Sequence, residues 1–171
     1  MCLIREGTRI GDFSSIDSHT VIGTDGFEIK NLANRSRIVS HAGGVLIGTN
    51  VEIGVGCVVD KSLFEGYTCI HDDGKIDNHV QIAHDCRLGK RTMICSKVQL
   101  SGNVAIGADC YLPPGAILRD QLEITDNVTL GMGTVVTRSI VHHLFMKSVA
   151  RASLDSGTLP IHQQVGNAPI R

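Results

Sequence analysis

Of the ionisable side chains in the 171 residues, the eight histidines are the ones suited to moving a proton near neutral pH. His84 stands in the segment Ile76-Asp77-Asn78-His79-Val80-Gln81-Ile82-Ala83-His84-Asp85-Cys86-Arg87-Leu88-Gly89. An imidazole with an ordinary pKa of about 6.5 can take the proton of an attacking nucleophile, whereas most carboxylates are too weak and lysine is already protonated. The same residue types allow metal binding, because His79 and His84 stand close in sequence, His41 lies upstream, and neutral imidazoles are common zinc ligands. A solvated surface histidine is the plainest alternative. Cys2, Cys57, Cys69, Cys86, Cys95 and Cys110 contain no C-x-x-C pair, which argues against both a disulfide framework and a thiol redox centre.

The elements that must position His84 are set by a repeat. Steps of six residues from Ile70 reach Ile76, Ile82, Leu88, Ile94, Leu100, Ile106, Leu112, Leu118, Ile124, Leu130 and Val136, all aliphatic. Two shorter runs share the period, Ile4-Ile10-Ile16-Ile22 and Ile47-Ile53-Val59. Such a period fits neither a helix nor plain strand alternation, so the chain must turn a corner once per hexad. Four residues after each aliphatic the position is mostly small, as at Thr20, Cys57, Cys86, Thr92, Cys110 and Ala116, which suits an inward corner. Gly11, Gly23, Gly48, Gly54, Gly89, Gly107 and Gly131 recur one residue after it, where the backbone is demanding or a neighbouring chain segment comes close. His84 follows an inward aliphatic by two residues, so its side chain is expected to leave the core. The segment 26–44 breaks the period and is expected as an excursion loop that touches substrate or a neighbouring subunit. The solenoid is expected over residues 1–140, with an irregular C-terminal tail at 141–171.

This pattern resembles the hexapeptide-repeat acyltransferases. The segment around His84 is similar to the I-D-N-x-x-Q-I-A-H segment of the N-acyltransferases of lipid A biosynthesis that act on UDP-3-O-acylglucosamine. Val51-Glu52-Ile53-Gly54, Val59-Asp60 and Thr24-Asp25-Gly26-Phe27 extend the likeness across roughly residues 20 to 140. The resemblance implies an all-β left-handed parallel β-helix with three hexads per coil, a handedness opposite to the usual crossover preference. It also implies transfer of an acyl group from acyl-CoA or acyl carrier protein to the amine of a nucleotide-linked amino sugar, with His84 as general base. With residues about 18 apart stacked, Gly102 falls beside His84, and its N–H is implied as the donor to the oxyanion. An ordinary turn glycine is the alternative. Glu65 falls near the stacked position one coil earlier, where the resemblance implies that it orients the imidazole, with a solvated surface Glu as the alternative, while Asp85 is expected to point elsewhere. The resemblance further implies a homotrimer with sites in the grooves between subunits.

Three departures qualify the resemblance. The repeats begin at Ile4, leaving no segment here for that family's uridine-holding N-terminal domain. A further functional histidine of the family falls at Gln121, and the C-terminal helices are expected to be shortened or lost. A smaller nucleotide-linked amino sugar is the acceptor that suits these differences. Sugar N- or O-acetyltransferases using acetyl-CoA are similar around Ala83-His84-Asp85-Cys86. The zinc carbonic-anhydrase β-helices, through His79, His84 and His41, and a non-catalytic β-helix remain as alternatives.

Composition sets the remaining limits. A net charge of −1, from 16 basic and 17 acidic residues, gives no footprint for nucleic acid. No apolar run reaches the roughly 18 residues of a membrane span, and the start carries no targeting pattern, so the expected location is the cytoplasm. No metal and no tightly bound cofactor are expected.

Overall fold

The computed structural model describes residues 1–141 and the backbone of Phe145–Met146. It is a left-handed parallel β-helix with three flat faces. The first face stacks Leu3–Ile4, Val21–Thr24, Val58–Asp60, Gln81–Ile82, Gln99–Leu100, Ile117–Leu118 and Val135–Val136. On the second lie Thr8–Ile10, Gly44–Ile47, Tyr67–Ile70, Arg87–Leu88, Ala105–Ile106 and Glu123–Ile124. The third carries Ser15–Ile16, Glu52–Ile53, Lys75–Ile76, Met93–Ile94, Tyr111–Leu112, Thr129–Leu130 and Phe145–Met146. Each strand is short, two to four residues, because few residues fit along a face before the chain must turn. No helix among the described residues is long and apolar enough to cross a membrane.

The hexad aliphatics form the core. Ile22, Val59, Ile82, Leu100 and Leu118 are fully buried in line along the first face, and equivalent columns fill the other two. Each such side chain stabilises the fold by about 1.5–3 kcal/mol, realised only when the coils above and below are present. The small corner residues have a second task. Thr20 Oγ1 donates to the Gly54 carbonyl at 2.6 Å, Thr92 Oγ1 to Gly107 at 2.8 Å, and the Cys86 thiol to Ser101 at 3.2 Å. A corner needs a compact side chain with a donor, and Thr and Cys supply both. Burial pushes the Cys86 thiol up to about 12, so it is a packing group without thiolate reactivity.

The glycines and the turns divide the corner between them. Gly54 is required by close approach, since a Cβ there would lie 2.6 Å from Asn78 Oδ1. The left-handed backbone falls two residues later, at positions such as Asp85 (φ 61°) and Asn103 (φ 57°).

Register shows where the coil is interrupted. Gln81 pairs with Gln99, an offset of 18, whereas Val58 pairs with Gln81 at 23 and Val21 with Val58 at 37. The differences from 18 are insertions of 5 and 19 residues (23 − 18 and 37 − 18). Both open at the edge between the first and second faces. The longer one forms an antiparallel hairpin, Ile29–Leu32 with Arg35–Ile38, before the chain rejoins the solenoid at Gly44. At the C-terminal end Phe145–Met146 pair with Thr129–Leu130, so the ladder continues past residue 140. The rest of the expected tail lies outside the described residues.

Candidate functional site

The edge that receives both insertions also carries His84. Ile82 and Cys86 point inward on either side of the corner, which leaves His84 and Asp85 to project from it. The His84 side chain is only 19 % exposed. Its Nδ1 lies 2.8 Å from Asp85 Oδ2. Asp85 is fixed in turn by the Ser62 hydroxyl, which donates to Oδ1, and by the Leu63 N–H, 3.4 Å from Oδ2. Its own N–H donates to Thr68 Oγ1 at 2.9 Å. Burial raises the Asp85 carboxyl pKa, but the hydrogen bonds from Ser62, His84 and Leu63 outweigh it and hold the group below the usual carboxylate range. An ionised Asp85 accepts Nδ1–H and leaves the lone pair on Nε2.

The Cε1–Nε2 side of the ring packs against Gly102, one coil on. A Cβ at residue 102 would lie 2.6 Å from His84 Cε1 and 2.7 Å from Nε2. The stacking is locked by Asn103, whose N–H donates to the His84 carbonyl at 2.8 Å. The Gly102 N–H makes no hydrogen bond among the described residues. Gln121 continues the column, donating its N–H to the Gly102 carbonyl at 2.9 Å, with its side chain exposed.

Glu65 does not orient the imidazole. It is exposed within the five-residue insertion, and the partner of Nδ1 is Asp85. The expectation that Asp85 points elsewhere is overturned for a physical reason. The positive φ at residue 85 turns its carboxylate back alongside the ring, while the insertion carries Glu65 out to solvent.

Three further groups surround the imidazole. His41, at the end of the long insertion, is 4 % exposed, and its ring centroid lies 5.3 Å from that of His84 at an interplanar angle of 64°. Asp25 Oδ1 accepts the His41 N–H at 2.8 Å and lies 3.3 Å from Lys61 Nζ, pinning the base of the insertion. The His41 backbone bond is the main reason the Asp25 carboxyl titrates below its ordinary value. Asp60 accepts Gln81 Nε2 at 3.1 Å, and burial pushes its carboxyl up to about 6, against the opposing pull of His84.

A folded-state pKa above the ordinary value means that the native protein holds this proton more tightly than the unfolded chain between about pH 4 and 6. The contribution of Asp60 to stability therefore falls as pH rises through that window. Asp60→Asn, which keeps an acceptor for Gln81, is expected to match the parent in thermal melting at pH 4 and to exceed it at pH 8. A difference between variant and parent that does not grow from pH 4 to pH 8 would contradict this.

These groups border a groove of about 690 Å³ lined by Asp25, Phe27, Asp60, Gln81, His84 and Gly102 among others. His79 is elsewhere, packed at the edge between the third and first faces, where a Cβ at Gly56 would lie 2.7 Å from its Nδ1. Within one chain, the imidazole pair on which the zinc reading rests is thus split between two edges. Among the described residues no three His, Cys, Asp or Glu side chains converge to hold a metal ion.

No family model matches the chain. UDP-3-O-acylglucosamine N-acyltransferase of Helicobacter pylori is 40% identical over 99 residues, 57% of this chain and 29% of that protein. UDP-3-O-acylglucosamine N-acyltransferase 1 of Gloeobacter violaceus is 37% identical over 102 residues, 60% and 29% of the two chains. This chain therefore spans about three tenths of the length of the curated relatives it matches. Among solved structures, the UDP-N-acetylglucosamine acyltransferase of Francisella novicida superposes with a TM-score of 0.73 at 19% identity, over 86% of this chain and 59% of that one. The enzyme of that name from Campylobacter jejuni gives 0.60 at 17%, over 86% and 70%. These superpositions establish a shared fold.

Proposed function

We propose, from its likeness to the UDP-3-O-acylglucosamine N-acyltransferases, that this β-helix moves an acyl group from a thioester to the amine of a nucleotide-linked amino sugar. The observation that carries the proposal is the stacking of Gly102 against His84 Nε2. It leaves a proton acceptor and an uncommitted peptide N–H on neighbouring coils, with no side chain between them. The amine attacks the thioester carbonyl and forms the C–N bond while Nε2 takes its proton. The oxyanion is met by the Gly102 N–H. Collapse breaks the C–S bond, and the imidazolium returns its proton to the departing thiolate. Asp85 keeps Nδ1 protonated and offsets the charge on the imidazolium.

The donor in this reading is acyl-CoA or acyl carrier protein, and the working unit is a homotrimer in the cytoplasm. The outward residues of the first face support the trimer: Val21, Val58, Gln81, Gln99, Ile117 and Val135 form a column without charge directly beside the groove. A neighbouring copy laid on that column would close the open side of the site. The likeness of Ala83-His84-Asp85-Cys86 to the sugar acetyltransferases gives a second reading, in which the donor is acetyl-CoA.

Both readings are tested by incubating the protein with UDP-linked amino sugars and a panel of acetyl-CoA, longer acyl-CoAs and acyl carrier proteins. Thiol release and product mass report the reaction. An amide product is expected, and the preferred chain length separates the readings. No product with any pair would sink both.

A further inference from the structure

His41 was of interest in the sequence only as a metal ligand, but its surroundings give it another role. Its Nδ1 lies 3.1 Å from the Val39 carbonyl, so Nδ1 donates there, and in the tautomer protonated at Nδ1 alone Nε2 carries the lone pair. That Nε2 is buried and has no hydrogen-bond partner. A buried ring nitrogen without a partner is costly, and natural folds keep such groups mainly where they serve a function. His41 Nε2 and His84 Cδ2 both border Gly26, where a Cβ would lie 3.0 Å from the first and 3.1 Å from the second.

We infer that His41 is a positioning residue for His84: in its Nδ1-protonated tautomer it packs against the imidazole, fixes the ring, and stabilises the imidazolium that forms when His84 takes a proton. The inference rests on the proposed role of His84 as base. Asp85 fixes the ring at Nδ1 but leaves it free to tilt about that bond. The edge-to-face contact with His41 removes the tilt. The electron-rich nitrogen beside the Cδ2 edge becomes favourable when that edge turns positive. The charged and titratable groups around the pair are Asp85 on the same corner, Asp60 and Lys61 from the coil below, and Asp25 at the base of the insertion. None of these supplies an acceptor to His41 Nε2.

The test compares the full chain with His41→Phe, which keeps an aromatic ring but loses the lone pair, and with His41→Gln, which keeps an acceptor. In His41→Phe, kcat is expected to fall by about 10-fold with little change in KM, as misplacement of a catalytic group produces. The acid limb of its kcat/KM profile moves to lower pH, because the imidazolium has lost a stabilising neighbour. His41→Gln recovers part of both. A role in folding alone would lower melting temperature and active fraction without moving the pH profile, and that result overturns the inference. So does an unchanged kcat and profile in His41→Phe. A parent protein with no transfer activity would instead count against His84 as base; the ¹⁵N shifts of His41 then still report whether Nε2 is bare, and a protonated Nε2 overturns the inference independently.

Discussion

His84→Ala is expected to lower acyl transfer by about 1000-fold, within the range that general acid–base catalysis contributes. The loss should appear in kcat rather than in binding, because the groove walls at Asp25, Asp60 and Gln81 are untouched. Folding should survive. The side chain projects from the corner, the core column through Ile82 and Leu100 stays intact, and Asp85 remains held by Ser62 and Leu63. Loss of the bond to Asp85 is therefore expected to cost about 1–2 kcal/mol of stability, too little to unfold the chain. The space vacated beside Gly102 has the shape of an imidazole ring, so added imidazole should restore part of the rate. His79→Ala, at a different edge, should keep full activity. Equal loss in the two variants, or none in His84→Ala, would remove the base from the proposed mechanism.

What the sequence made legible follows from its period. Inward aliphatics from Ile70 to Val136 must share one environment, and the offset of 18 between Gln81 and Gln99 places residue 102 against residue 84. What it hid follows from breaks in that period. The five-residue insertion before Tyr67 shifts every count made backward from His84, which is why Glu65 was assigned a place that its exposed position does not allow. Asp85 was hidden differently. A pattern of inward and outward positions carries no sign for φ, and a left-handed residue next to a histidine turns its carboxylate back where a strand residue would turn it away. The Ala83-His84-Asp85-Cys86 order was the available signal, since Cys86 must point inward and the corner has few other ways to dispose of His84 and Asp85. His41 had no such signal. It ends a 19-residue excursion without a repeat, and it is brought to the site by the Asp25 bond to its backbone and by the bonds of Ala42 and Gly43 to Leu63 and Ser62.

Gly102→Ala tests the stacking itself, and kcat is expected to fall by about 100-fold. Gly102 does not adopt a left-handed backbone, so alanine adds little strain to the chain. The conflict is with the ring: the new methyl would lie 2.6 Å from Cε1, 2.7 Å from Nε2 and 3.3 Å from Nδ1 of His84. The imidazole cannot retreat freely, because Asp85 grips Nδ1 and the His41 ring packs against it. Either the bond to Asp85 lengthens or the methyl occupies the space where the amine and thioester must meet, and both outcomes slow the chemical step. A double-mutant cycle separates this steric effect from loss of the peptide N–H. Alanine leaves that N–H in place, so in a His84→Ala background, where the ring is gone, Gly102→Ala should cost much less than it does in the parent. A full cost in both backgrounds would place the defect in the backbone at 102, and full activity in the single variant would mean that the contact between residues 84 and 102 is not where the reaction takes place.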